Sequence, residues 1–151
     1  MDIEESIYNK VLRFVSIRPR SEKEVRDYIY RKASKKIKSS SDLASLQNKI
    51  LENLVELKLI NDEDFAKTWV GWRLSSSNPK GMRVIRGELF AKGVDRDLVS
   101  ELLDGEEYKN MEIDAAKRVC SKKAKVYKDP LGLKNYLLSR GFSYCAINSA
   151  F

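Results

Sequence analysis

Apolar residues recur every three or four positions along almost the whole chain, and short polar stretches punctuate them. That period predicts amphipathic α-helices. The clearest run lies between Asn61 and Leu103. Asn61 is placed to cap a helix whose positive first turn carries Asp64, and Phe65, Trp69 and Trp72 at i, i+4 and i+7 predict its apolar face. Ser75 to Pro79 breaks the pattern. A second helix opens near Lys80 or Gly81 and stacks Met82, Ile85 and Leu89 on one side, with Gly93 suited to a left-handed C-terminal cap. Asp95 opens a third, with Leu98, Val99, Leu102 and Leu103 facing inward.

The same three-part rhythm flanks this run. Residues 4–17 predict a helix with Ile7, Val11, Phe14 and Val15 on one face, ended by Arg18-Pro19-Arg20. Ser21 and Glu24 form an S-x-x-E capping box for the next helix, which turns Val25 and Ile29 inward with Tyr28 beside them. Residues 34–41, basic and rich in serine, are expected to be locally disordered. Leu43, Leu46, Ile50, Leu54 and Leu57 predict a long helix over 41–58. Beyond a turn at 104–107, Met111, Ala115 and Val119 predict a helix over 108–127. Asp129-Pro130 opens another, with Leu133, Tyr136 and Leu137 inward, and Ser143 opens a short last one holding Ile147 and Phe151. The second helices align by eye: Tyr28 to Ala33, Glu88 to Gly93 and Tyr136 to Gly141 each carry an apolar pair, a basic residue and a small one. Such self-similarity signals a repeat array. The expected fold is all-α, an elongated continuous array of three tandem three-helix repeats over residues 1–60, 61–104 and 105–151.

Composition narrows the chemistry. Among 151 residues there is no histidine, which removes Ser-His-Asp triads, Cys-His pairs and imidazole metal ligands together. Gly81, Gly87 and Gly93 lie six apart in or at the end of a helix and make no phosphate loop. Asp62 and Asp64 read as helix-start residues rather than as an acid–base pair. The two cysteines, Cys120 and Cys145, lack metal-type spacing and are expected as a reduced cytoplasmic pair. The chain is therefore read as a non-enzyme with no cofactor or metal, and as a cytoplasmic monomer with no membrane span or secretory signal. Its net charge of +7 is segregated: residues 1–40, 65–103 and 115–151 carry +5, +3 and +7, and the stretches between them −4 each. Each repeat thus has a basic portion that suits a polyanion or an acidic protein groove, although a simply solvated surface fits the same counts.

Two separated motifs add a family resemblance. Lys80, Gly81, Ile85, Glu88, Leu89, Lys92 and Gly93 fit a K/R-G-x-x-x-I-x-x-E-L-x-x-K-G segment, behind a leucine-rich helix and an acidic-aromatic one. Leu12, Arg18, Pro19, Arg20, Ser21, Glu24 and Val25 fit a segment nearer the N-terminus. In both, and in their order, the chain resembles the RecX family of recombination regulators. It departs at Ala33, where glycine is usual, in an apparent insertion from Lys35 to Leu46, and in a weakly matched last repeat. The resemblance implies a small helical regulator that binds the RecA recombinase filament on single-stranded DNA and dampens its recombinase, ATPase and co-protease activities. It thereby implies a place in homologous recombination, DNA repair and the SOS response.

Seven cations are the expected partner-binding residues. Arg18 and Arg20 bracket a rigid proline turn that can hold guanidinium groups for carboxylates or phosphates. Lys80, Arg83 and Arg86 form a flank beside the Met82-Ile85-Leu89 face, and Lys23 and Lys134 complete the set. The competing reading is a helix-turn-helix-like DNA-binding module, on single-stranded or duplex DNA. The central second helix exposes few Asn or Gln side chains for base edges, which weighs against it. A plain helical scaffold is the third reading.

Overall fold

The computed structural model describes residues 2–151, and among them it contains nine α-helices and no strand. They are α1 (Ile3–Ile17), α2 (Glu22–Ala33), α3 (Ser40–Glu56), α4 (Asp62–Ser75), α5 (Met82–Ala91), α6 (Arg96–Leu103), α7 (Glu106–Lys123), α8 (Pro130–Ser139) and α9 (Tyr144–Ser149). The chain forms two compact units. One holds the residues up to Phe65 together with Lys92–Val94, and the other holds Ala66–Ala91 with Asp95–Phe151.

In the first unit α2 packs against both α1 and α3. Its core is Ile7, Val11, Val25, Ile29, Ala33, Leu43, Leu46, Ile50, Leu51, Leu54 and Ile60. Phe14 and Val15, expected inside, are only partly buried, and Leu57 is exposed where α3 ends. The capping box of α2 is present in full: Glu24 N–H donates to Ser21 Oγ, and Ser21 N–H to Glu24. Ser21 is fully buried because its hydroxyl also donates to the carbonyl of Lys92 at 2.7 Å. Gly93 has φ +79°, and a Cβ there would lie 2.6 Å from the Lys23 side chain. The segment expected to be disordered is a defined connection instead. Lys36 and Ile37 N–H groups continue the α2 turn onto the Ala33 carbonyl, Ile37 packs on the core, and Ser39 caps α3. One apolar residue in the basic run anchors it.

The second unit is joined by backbone and by one carboxylate. Gly81 N–H donates to Arg140 O at 2.9 Å, and Arg83 N–H to Gly141 O at 3.0 Å. The start of α5 thus takes two of its missing acceptors from the end of α8. The approach is so close that a Cβ on Gly81 would lie 2.1 Å from the Phe142 nitrogen. Gly141 sits at φ +90° and ends α8. Between these two N–H groups, that of Met82 donates to Glu112 of α7 at 2.8 Å. The same carboxylate accepts the Ser143 N–H at 3.1 Å and the Ser143 hydroxyl at 2.6 Å, at the start of α9. Glu112 is only 3% exposed and fully used. The apolar face of α7 is accordingly Ala115, Ala116 and Val119, with Met111 at its edge.

Helix α4 corrects the sequence reading. Its second-unit face is Ala66, Val70 and Leu74, all buried, whereas Trp72 is 48% exposed and Trp69 is partly covered. The Arg73 guanidinium lies over the Trp69 ring at 5.1 Å and pairs with Glu88 of α5. Small and β-branched residues are the ones buried there, and the tryptophans are only partly covered or exposed. Two similar shifts occur in the last helices: Tyr136 is half-buried, and Phe151 is exposed beyond the end of α9. The loop after α4 is pinned by cations. Arg118 donates to Leu74 O and Ser76 O, Lys122 to Ser77 O, and Arg140 to Asn78 O and Pro79 O.

Three outcomes follow for stability. Glu112→Ala removes the acceptor of one buried donor, the Met82 N–H, and of two part-buried ones on Ser143, and a stranded buried donor costs about 1–3 kcal/mol. Urea denaturation should show a loss of about 1–3 kcal/mol or more, and a loss near zero would mean that these donors find other partners. Trp69→Ala should cost about 1–3 kcal/mol, below a full core truncation, and Trp72→Ala no more than about 0.5 kcal/mol in the same assay. Asp62 accepts the Glu22 N–H at 2.8 Å, at the start of α2. Burial raises its pKa above the usual carboxylate value of 3.8, with Glu22 and Glu24 adding and the Glu22 N–H opposing. The folded state therefore binds this proton more readily than the unfolded one, so this carboxylate's penalty is full at neutral pH and is relieved as pH falls through its folded pKa. Asp62→Asn, which keeps an acceptor, should match or exceed the parent melting temperature at pH 7. That advantage should shrink on acidification, and a variant less stable than the parent at pH 7 would reverse the reading.

Candidate functional site

The sequence-derived cations fall into separate groups. In the first unit, Arg18, Arg20 and Lys92 gather around one oxygen of Glu24, at 2.7, 3.9 and 3.6 Å. Pro19 fixes the backbone between the arginines, and the capping box fixes Glu24. One carboxylate is thus shared by three cations. Arg20 also stacks on the Phe14 ring at 3.9 Å and donates to the Phe14 carbonyl. Phe14 in turn stacks face to face on Tyr28, with centroids 4.1 Å apart. Burial, followed by the neighbouring Arg18, lowers the Arg20 pKa, and Glu24 opposes the shift. A guanidinium remains charged under these conditions, so the effect is a rigid, partly desolvated cation. Lys23 lies on the same helix, exposed, with its aliphatic stem over Gly93.

In the second unit, Arg83 and Arg86 stand at one cleft of about 450 Å³ between α5, α7 and the start of α9. Met82, Leu103 and Phe142 line its apolar side, and Lys109 adds a third cation. Neither arginine is idle. Arg83 donates to Leu138 O at 2.6 Å, and Arg86 pairs with Asp104 at 2.8 Å. Lys80 is half-buried just ahead of α5. Lys134 sits apart from this cleft, with its ammonium over the Phe151 ring at 5.1 Å.

Sequence reasoning gave Glu24 only a capping role and did not single out Lys92 or Lys109 for binding. The capping box was the available signal for Glu24. Nothing local points to Lys92, whose partner lies in α2. Among the described residues no group of three His, Cys, Asp or Glu side chains could hold a metal ion, and no helix is long and apolar enough to cross a membrane. Both cysteines are free, and burial raises the pKa of the Cys120 thiol, which makes it less reactive.

Comparison with known proteins converges on one family. The family model described as RecX, first three-helix domain, matches residues 8–33, and that described as RecX, second three-helix domain, matches residues 61–103. The regulatory protein RecX of Bacillus subtilis (strain 168) is 30% identical over 148 residues, covering 95% of this chain and 53% of the relative. That of Oceanobacillus iheyensis is 32% identical over 140 residues, covering 89% and 48%. The chain thus spans about half the length of these curated relatives. The crystal structure of RecX from Lactobacillus salivarius superposes with a TM-score of 0.78 at 27% identity, covering 97% of this chain and 93% of that one. With both motifs, both domain models and the all-helical fold in agreement, the chain belongs to the RecX family of regulatory proteins.

Proposed function

We propose that this chain binds the filament of a RecA-type recombinase and inhibits its DNA-dependent activities, as its family resemblance implies. Two domain models in the family's order, with a fold that matches a RecX crystal structure over nearly its full length, carry the reading. The three groups of helices, over residues 1–60, 61–104 and 105–151, act as repeats, each offering a modest contact. Linking weak contacts raises overall affinity without any strong one. One monomer spans neighbouring protomers of the filament in this reading. The contacts are electrostatic at Arg18, Arg20, Lys23, Lys80, Arg83, Arg86 and Lys134, and acidic recombinase surface is the complement. The chemistry is binding without catalysis, in the cytoplasm where the recombinase works.

The test is a titration of ATP hydrolysis by a RecA-type recombinase on single-stranded DNA. Inhibition is expected below one molecule per protomer. Absence of inhibition at excess protein overturns the reading, and a requirement for one molecule per protomer removes the spanning. Arg86→Glu would face Asp104 with a like charge, so neutral variants are the sound probe. Arg83→Gln with Arg86→Gln loses surface contacts worth about 0–1 kcal/mol each and should leave the helical circular dichroism unchanged. Inhibition should weaken several-fold, and unchanged inhibition would place the contact elsewhere.

A further inference from the structure

The cations of residues 115–151 differ in kind from the ion-paired ones elsewhere in the chain. There are eight, against the single carboxylate of Asp129, and that carboxylate is occupied in capping α8 through the Leu131 N–H. Among the described residues none of the eight makes an ion pair. Arg118, Lys122 and Arg140 donate to carbonyls of the loop after α4, Lys123 lies over the Tyr136 ring, and Lys134 over that of Phe151. Lys117, Lys125 and Lys128 are exposed. By contrast Arg18, Arg20, Arg73, Arg86 and Lys92 each face a carboxylate. Carbonyls and rings fix a cation in place without cancelling its charge. Residues 115–151 therefore carry a net charge of +7 that no ion pair among the described residues offsets.

From this we infer that the loop over residues 75–79, with Arg118, Lys122 and Arg140 anchored around it and Lys117, Lys125 and Lys128 on the neighbouring elements, binds the phosphodiester backbone of nucleic acid. Three long cations from α7 and α8 converge on that one loop, and Ser75, Ser76, Ser77 and Asn78 are exposed on it as further hydrogen-bonding groups. Lysine predominates, and lysine is depleted at the cores of protein interfaces but serves well as a point charge for phosphate. Contacts to phosphate carry no sequence information, so binding through these cations is independent of sequence. This activity goes beyond the recombinase reading and does not require a recombinase.

Fluorescence anisotropy with a labelled single-stranded oligonucleotide and its duplex, recombinase absent, tests the inference. Binding should weaken with salt along a log–log line whose slope reflects the phosphates neutralised, about −0.7 per contact on single strands and about −0.9 on duplex. The variant Lys117→Gln, Lys125→Gln, Lys128→Gln leaves every anchoring contact in place. It should bind at least tenfold more weakly, with a shallower slope. A charge-matched control, Lys35→Gln, Lys36→Gln, Lys38→Gln, should stay within twofold of the parent. No binding at low salt overturns the inference, as does an equal loss in the control. If poly-glutamate competes charge for charge with the oligonucleotide, the surface suits an acidic protein and the nucleic-acid inference fails. Recombinase inhibition, measured separately, can survive any of these results.

Discussion

The buried carboxylate of Glu112 is the constraint on which the second unit depends. Helix starts leave N–H groups without partners, and in a packed unit such groups need acceptors from elsewhere in the chain. Here α5 and α9 both begin at the side of α7, and one Glu side chain serves both. Its charge is stabilised by the N–H dipoles at the two helix starts, and the helices are fixed by the shared acceptor. The backbone contacts of Gly81 and Arg83 with the end of α8 complete the joint. This arrangement fixes where Arg83 and Arg86 emerge, and so where the cleft's positive side lies.

The first unit solves most of the equivalent problem within α2, with Asp62 accepting the Glu22 N–H. Its helix α2 carries its own cap, Ser21, and its own acceptor, Glu24. The cost of gathering three cations at that carboxylate is moderated because Arg20 rests on an aromatic ring and Arg18 stays partly exposed. Residues 115–151 present positive charge in a different way, fixing cations on carbonyls and rings rather than on carboxylates.

What was legible in the sequence follows this division between local and distant partners. Asn61, Asp95, Asp129 and Ser143 all cap helices as their position predicts, because each cap bonds two or three residues ahead. Met82, Ile85 and Leu89 are inside as their period requires, and Gly93 and Gly141 have the positive φ expected of them. The two family motifs carried the family assignment, which periodicity alone does not reach. Glu112 was invisible because its three donors lie 30 or 31 residues away, and an acid in the front half of a helix has an ordinary explanation on the surface. Trp72 misled because its spacing from Phe65 and Trp69 was read as the buried face, whereas Ala66 and Val70 are the residues inside. Arg83 and Arg86 were identified as a flank, but their partners, Leu138 O and Asp104, come from other helices and no spacing rule indicates them.

The buried hydroxyl of Ser21 donates to the carbonyl of Lys92, so a piece of chain far downstream finishes the first unit. During synthesis the N-terminal helices leave the ribosome long before residues 92–94 do. Until those residues emerge, Ser21 lacks its acceptor and the first unit waits in an incomplete form. Domains made early in translation usually fold as they appear. Here the hydrogen bond that completes the first unit at Ser21 can form only after α5 has been translated.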